Sequence, residues 1–285
     1  MPPASVTLMG VKGGPAIRPG SSMPTSILVR MGGQTILVDA GLGVTRGLCD
    51  QGVALTGLDA VFVTHLHSDH YLELGPLFHT AWTAGLTRPV PVIGSSGLDD
   101  YWRHFQAAMA FDTDLRIADE GRVPLGPLMD LSTITGGQIW RRDGLVVTAL
   151  RNHHPPIEES FALRFEADGK VFVFSGDTAP MPEMVAFAKG ADLLVHEAIL
   201  PDGVDALCAR MPNGDERLRQ HILRSHTTAQ DAGQIAEQAG VGRLVLTHFV
   251  PDGDPDFPPS AYKEAAESTW AGPLSIANDG LHLVL

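Results

Sequence analysis

The sequence predicts an α/β protein whose β-sheets are covered by helices on their outer faces. Three observations predict it. Short β-rich runs punctuated by glycine recur through both halves of the 285-residue chain. Segments with helical spacing are interspersed among them. No linker or low-complexity stretch divides the chain, so a single domain over 1–285 is expected, with two similar halves of about 1–143 and 144–285.

Composition bounds the reading. An apolar content of 44% supports a sizeable core. A formal charge of −13 disfavours broad electrostatic binding to nucleic-acid phosphates, and no run of Lys or Arg opposes that. Cys49 and Cys208 sit in helix-like segments and read as buried or idle thiols, not as a disulfide framework. The opening Met1 to Gly10 has neither a basic stretch nor a long apolar one. No signal peptide or membrane span is expected, and a cytoplasmic location is the default.

In chain order, strands are predicted at Ser5 to Gly10, Ser26 to Met31 and Gln34 to Asp39, with Gly32-Gly33 as a hairpin turn. Asp39 ends a buried strand before a glycine turn, where an N-cap or turn aspartate is the ordinary role. Val44 to Gly52 reads as helix, Ala60 to Thr64 as an apolar-rich lead into the motif below, Tyr71 to Gly85 as helix and Pro89 to Gly94 as strand. Asp99 to Phe111 is an amphipathic helix whose Tyr101, Trp102, His104, Phe105 and Met109 read as core packing, with a lid over a site as the alternative. Asp112 to Trp140 is irregular and is a candidate pocket wall. The second half predicts strands at Leu145 to Leu150, Ser160 to Ala167, Lys170 to Ser175, Leu193 to His196, Leu244 to His248, Pro273 to Ala277 and Leu281 to Leu285. Its helices are predicted at Met181 to Lys189, Glu216 to Arg224, Thr228 to Gln238 and Ser260 to Trp270.

The chemistry concentrates in Thr64-His65-Leu66-His67-Ser68-Asp69-His70, where four metal-capable side chains fall within six positions. Imidazole nitrogen and carboxylate oxygen are ligands that zinc, iron and manganese accept. His65 and His67 are two apart and share one side of an extended backbone. Asp69 and His70 point differently and are placed to serve a second ion. A His-rich solvated loop is the bland alternative.

This motif resembles the HxHxDH signature of the metallo-β-lactamase superfamily, and the rest of the chain offers that family's other ligand positions in order. The resemblance implies a four-layer αββα sandwich of two mixed sheets, with the metal site at the edge between them. Asp39 then lies under the site. In Arg151-Asn152-His153-His154-Pro155-Pro156 two histidines compete. His154 is preferred because two prolines follow it and Phe161 opens the next strand. Phe174-Ser175-Gly176-Asp177-Thr178 looks like the bridging-aspartate motif, and the strand Leu244 to His248 ends on the last ligand. The implied assignment is His65, His67 and His154 on one ion, Asp69, His70 and His248 on the other, and Asp177 with a hydroxide between them. Two Zn2+ are expected, with Mn2+ or Fe as alternatives.

Two further stretches are similar to the ribonuclease Z-like branch: Leu194-Val195-His196-Glu197-Ala198 and Ser225-His226-Thr227-Thr228-Ala229. There the acid orients the histidine, which protonates the leaving group. That role carries over to Glu197 and His226, with Asp69 the third catalytic residue. Structural roles for His196/Glu197 and an N-cap at Thr227 or Thr228 are the alternatives. Only 22 residues separate His154 from Asp177. That leaves no room for the tRNA-gripping arm many bacterial members carry there, so tRNA is not the expected partner. The segment Val11 to Gly20 looks more like the arm-less phosphodiesterase-like and arylsulfatase-like relatives.

The expected function is therefore a dinuclear metal-dependent hydrolase of a small anionic ester, a phosphodiester or sulfate ester. The nucleophile is the bridging hydroxide, with His226 as proton donor. A hydrolase of carboxylic esters, lactones or amides is one alternative, with Trp82, Trp102 and Trp140 lining an apolar pocket. A mononuclear iron enzyme like the sulfur dioxygenases is the other. A homodimer is possible on resemblance alone. His79, His221 and His282 carry no motif and read as surface or core residues.

Overall fold

The computed structural model describes residues 3–285. The first half contains β1 (Ser5–Gly10), β2 (Ser26–Met31), β3 (Gln34–Val38), α1 (Val44–Asp50), β4 (Ala60–Phe62), α2 (Ser68–Tyr71), α3 (Leu74–Thr83), β5 (Val90–Gly94), α4 (Leu98–Glu120) and β6 (Met129–Thr133). The second contains β7 (Gly137–Arg142), β8 (Leu145–Arg151), β9 (Phe161–Ala167), β10 (Lys170–Phe174), α5 (Pro182–Phe187), β11 (Leu193–Ile199), α6 (Pro201–Ala209), α7 (Glu216–Ser225), α8 (Ala229–Ala239), β12 (Leu244–Val250), α9 (Pro259–Glu267), β13 (Leu274–Ile276) and β14 (Leu281–Val284).

The strands form two seven-stranded sheets, ordered β14-β1-β2-β3-β4-β5-β6 and β13-β12-β11-β10-β9-β8-β7. Each is mixed. From β14 to β3 and from β7 to β10 neighbours run antiparallel. From β3 to β6 and from β10 to β13 they run parallel. The last strand thus returns to the first sheet.

Alternation along the strands explains the layering. Ile27, Val29, Ile36, Val38 and Phe62 face the second sheet. Leu28, Leu37, Val61 and Val63 face the opposite way, onto the helical layer that holds Leu48, Leu74, Leu77 and Trp82. Successive side chains of a strand point to opposite faces, so a strand covered on both reads as a continuous apolar run. The second sheet is covered likewise by α5, α8 and α9, through Met184, Ile235 and Tyr262. The result is the expected αββα order. Phe62 of the first sheet meets Phe165 of the second edge-on at 5.8 Å, and Phe165 stacks on Phe172 at 5.5 Å. Such pairs add specific geometry to the apolar burial.

Several expectations change. The predicted helix Asp99 to Phe111 runs on to Glu120, because Arg116 pairs with both Asp112 and Glu120 one turn away on either side. The remainder of Asp112 to Trp140 holds β6 and the start of β7, joined by non-strand backbone over 121–128 and 134–136, so this region is only partly irregular. Tyr71 to Gly85 is two helices, broken between Tyr71 and Leu74. Helix α6 escaped the sequence reading because Pro201-Asp202-Gly203 looks like a turn. Pro201 instead sits in the helix's first turn, and a Cβ on Gly203 would stand 2.4 Å from the Pro251 ring, so glycine permits close packing. The thiols are free but not buried: Cys49 is exposed, and Cys208 is half-buried against the small apolar cluster around Val204 and Ile222. No helix among the described residues is long and apolar enough to cross a membrane.

Because Phe165 is fully buried where the two sheets meet, Phe165→Ala is expected to lower unfolding free energy by about 3–5 kcal/mol in chemical denaturation. Phe165→Leu should lose clearly less. A loss below about 1 kcal/mol for the alanine variant would contradict the role given to this contact.

Candidate metal centre

The sequence-predicted ligands meet where the parallel strands end. Beyond β4 the chain continues through Thr64 to His67, and α2 then opens with Asp69 and His70 in its single turn. His65 Nε2 and His67 Nδ1 lie 3.1 Å apart, as the two-residue spacing predicts. His154, after β8, brings its Nε2 to 3.0 Å from the same His67 nitrogen. Its neighbour His153 is exposed, which decides between the two. Asp177 follows β10. Its Oδ2 lies 3.7 Å from His65 Nε2, 3.3 Å from His70 Nε2 and 3.2 Å from His248 Nε2. Asp69 Oδ2 is 3.3 Å from His248 Nε2, and His70 and His248 bring their Nε2 atoms within 3.3 Å of each other. Three overlapping groups result, His65/His67/His154/Asp177, Asp69/His70/His248 and Asp177/His226/His248.

His248 reaches the site through a bulge. In the β11–β12 ladder Glu197 pairs with Thr247 and Ala198 with Phe249, which leaves His248 as the extra residue. Its φ is +51°. A bulge re-aims one side chain locally, and a non-glycine residue in the left-handed region carries strain of the kind found at working sites. Asp39, with φ of +60°, is the other such position beneath the site.

The outward-facing nitrogens are already occupied. His65 Nδ1 meets Thr64 Oγ1 at 3.1 Å, His70 Nδ1 meets Asp39 Oδ2 at 2.7 Å and His154 Nδ1 meets the Ser225 carbonyl at 2.9 Å. Asp39 also accepts from the Thr64 amide and hydroxyl. It therefore orients a ligand, as the resemblance implied. Each of these imidazoles donates outward, so in the neutral ring the Nε2 lone pair turns into the site.

That arrangement fits metal cations. The converging Nε2 atoms confront other acceptors at about hydrogen-bond distance, and the buried Asp177 Oδ1 has no hydrogen-bond partner. Burial pushes His65 well below its ordinary pKa and takes His154 down to about 4, so both favour the neutral, ligating form. Burial pushes His70 down as well, but the carboxylates of Asp177, Asp39 and Asp69 outweigh it and raise its pKa well above the ordinary value. The carboxylate-rich pocket thus draws positive charge. Imidazole and carboxylate donors without thiolate suit zinc, manganese or iron.

Glu197 and His226 also join the site. His226 Nδ1 is 2.6 Å from Glu197 Oε2, while Glu197 Oε1 accepts from the Thr178 amide beside Asp177. Burial alone would lower the His226 pKa, but the Glu197 charge and hydrogen bond raise it to about 9. Its ring stacks on His248 at 5.6 Å. His196 is buried away from this pair, with Nδ1 on the Glu197 carbonyl. Thr228, the second of the two threonines considered, caps α8 through the Asp231 amide. Asn152, not singled out in the sequence, donates to the Ser175 and Asp177 carbonyls and so fixes the Asp177 loop.

Above the cluster opens a cavity of about 350 Å3. Lys12, Arg18 and His221 contribute polar groups to it, and Leu207, Met211, Leu218, Ile222 and Val250 form an apolar wall. Neither Asp112 to Trp140 nor the tryptophans contribute. Trp82 and Trp102 are buried beneath α3 and α4, and Trp140 packs against Phe62. His221, expected as a surface or core residue, instead lines the cavity. Its ring stands 5.8 Å from that of His67. No sequence motif marks it, only its helical turn before His226. His79 and His282 do lie elsewhere, against Asp112 and Thr7.

Comparison with known proteins follows the geometry. Residues 5–250 match the family model described as anti-Pycsar protein Apyc1. A ribonuclease Z from Mycobacterium bovis (strain BCG / Pasteur 1173P2) is 35% identical over 282 residues, covering 98% of this chain and 97% of that protein. The metallo-β-lactamase fold protein YhfI from Bacillus subtilis superposes with a TM-score of 0.71 at 24% identity, covering 99% of both chains. Human tRNase Z, short form, superposes with a TM-score of 0.68 at 21% identity, covering 98% of both. On the strength of these matches along nearly its whole length, the chain belongs to the ribonuclease Z-like hydrolases of the metallo-β-lactamase fold, in the family described as anti-Pycsar protein Apyc1.

Proposed function

We propose that this protein is a dinuclear metal-dependent hydrolase of a small anionic ester, with a phosphodiester as the substrate class and a sulfate ester as the nearest variant. The observation that carries the reading is the shared Asp177 oxygen between two ligand groups, with a cavity directly above them and the Glu197–His226 pair on its wall. His65, His67 and His154 would hold one ion, Asp69, His70 and His248 the other, and Asp177 both. Two such ions supply a water nucleophile ionised near neutral pH and neutralise charge that develops on the ester. Zn2+ fits the donor set, with Mn2+ or Fe as the alternatives.

The chain's own groups do the rest. Arg18 gives the cavity positive charge for an anion, and the Lys12 ammonium, bonded to the Gly13 and Gly14 carbonyls, adds to the field there. The apolar wall packs the organic part of the ester and excludes water. His226, held by Glu197, presents its second nitrogen to the leaving oxygen and donates the proton there. Bound cations would disfavour its protonated form and so lower its pKa from the high value set by Glu197.

The cavity's size favours a small ester. A name such as ribonuclease Z places RNA among the relatives' substrates, which counts against dismissing tRNA here. Against it stand the net charge of −13 and the interval from His154 to Asp177, which the β9–β10 hairpin fills. The apolar wall also gives carboxylic esters or lactones a place, as the second reading.

Three outcomes test this. Asp177→Ala should empty at least one metal site and abolish turnover of bis(4-nitrophenyl) phosphate while circular dichroism stays unchanged. Full activity with two ions bound would overturn the bridging role. His226→Ala should keep both ions and lower turnover about 100-fold or more for poor leaving groups, and far less for 4-nitrophenolate. Equal losses would remove the proton-donor role. An acid loses its proton as pH rises, so wild-type turnover of poor leaving groups should fall on the alkaline side, and this limb should vanish in His226→Ala. An unchanged alkaline limb in the variant would contradict the assignment.

A further inference from the structure

The loop after β1 carries an ammonium group in an unusual setting. Lys12 is only 5% exposed. Its Nζ donates to the Gly13 carbonyl at 2.7 Å and the Gly14 carbonyl at 3.0 Å, so the side chain curls back and clamps its own loop. A buried lysine is expensive unless it does something for its surroundings. Here the clamped loop has two outputs, and both touch the same ligand group.

The first is electrostatic. The Gly14 amide donates to Asp69 Oδ2 at 2.7 Å, and that oxygen is the one that faces His248 and His70. The second is steric. Gly13 lies against the His248 imidazole: a Cβ there would be 3.0 Å from ring atoms Nδ1 and Cε1, and 2.5 Å from Val250 Cγ2. The loop is also stitched to the residue after His248, since the Gly13 amide donates to the Phe249 carbonyl and the Phe249 amide to the Val11 carbonyl. No corresponding contact runs from this loop to His65 or His154.

We propose that Lys12-Gly13-Gly14 positions Asp69 and His248, with Lys12 as the positioning residue, and thereby sets the affinity of the Asp69/His70/His248 ion site without serving the other. Bound ligands depend on such outer partners for orientation, and their loss typically weakens metal binding by about 10–100-fold. The inference rests on the two-ion reading of the site.

The test is metal binding by the full chain, stripped of metal and titrated with Zn2+ against a chromophoric chelator. Wild type should take up two ions. Lys12→Met should keep one site at wild-type affinity and weaken the other about 10-fold or more. Lys12→Arg, which retains donors and charge, should recover most of that affinity. Gly13→Ala, whose Cβ would stand 3.0 Å from the His248 ring and 2.5 Å from Val250 Cγ2, should weaken the same site, and it keeps the test decisive where Lys12→Met does not fold. Two ions bound with wild-type affinities by both Lys12→Met and Gly13→Ala would overturn the proposal. Equal weakening of both sites would overturn it too, as a general structural effect. Fewer than two ions on wild type would instead defeat the two-ion reading itself, and the proposal with it.

Discussion

Acceptor groups turned towards one another, with their donors spent elsewhere, are the constraint on which this structure turns. His65 and His154 each commit Nδ1 to an outer partner, so their Nε2 lone pairs face inward, His154 onto His67 and His65 onto His67 and Asp177. Buried lone pairs opposed in this way repel, and a buried carboxylate oxygen without a partner is costly. Cations held in the midst of these groups would relieve both penalties. The surrounding architecture holds the arrangement against its own repulsion.

The fold supplies that rigidity by placing ligands on strand ends, not on free loops. In open α/β sheets, sites gather at the carboxyl ends of parallel strands. Here β4, β10 and β12 are parallel-paired strands and deliver the His65–His70 motif, Asp177 and His248. Two local departures from regular geometry complete the placement, the bulge at His248 and the left-handed backbone at Asp39. Strained residues persist only where the neighbourhood over-determines them. Asp39 meets this through three hydrogen bonds from Thr64 and His70, and His248 through the stitched loop at Gly13.

What was legible in the sequence was local. His65 to His70 bring several ligand types together within one turn of chain, so spacing alone says where they point. Single ligands such as Asp177 and His248 were legible because each follows closely on an apolar run of the sequence, although β12 runs on past His248 to Val250. The cavity was not legible, because its wall comes from distant pieces: the loop after β1, α6, α7 and the end of β12. Nothing in the segment Pro201 to Gly203 announces a helix, and His221 acquires its place only when α7 packs beside His67 and His154. The tryptophans misled for the opposite reason. Large aromatics suggest a pocket, but a sheet with helices on its far face needs them for its core.

The central claim is that two cations complete this site. The most direct measurement is elemental analysis by mass spectrometry of purified, extensively dialysed protein. About two zinc or manganese ions per chain is the predicted result, in keeping with paired-ion hydrolases. One iron per chain, with oxygen consumed in the presence of a thiol or persulfide, would contradict the account and put mononuclear oxygenase chemistry in its place.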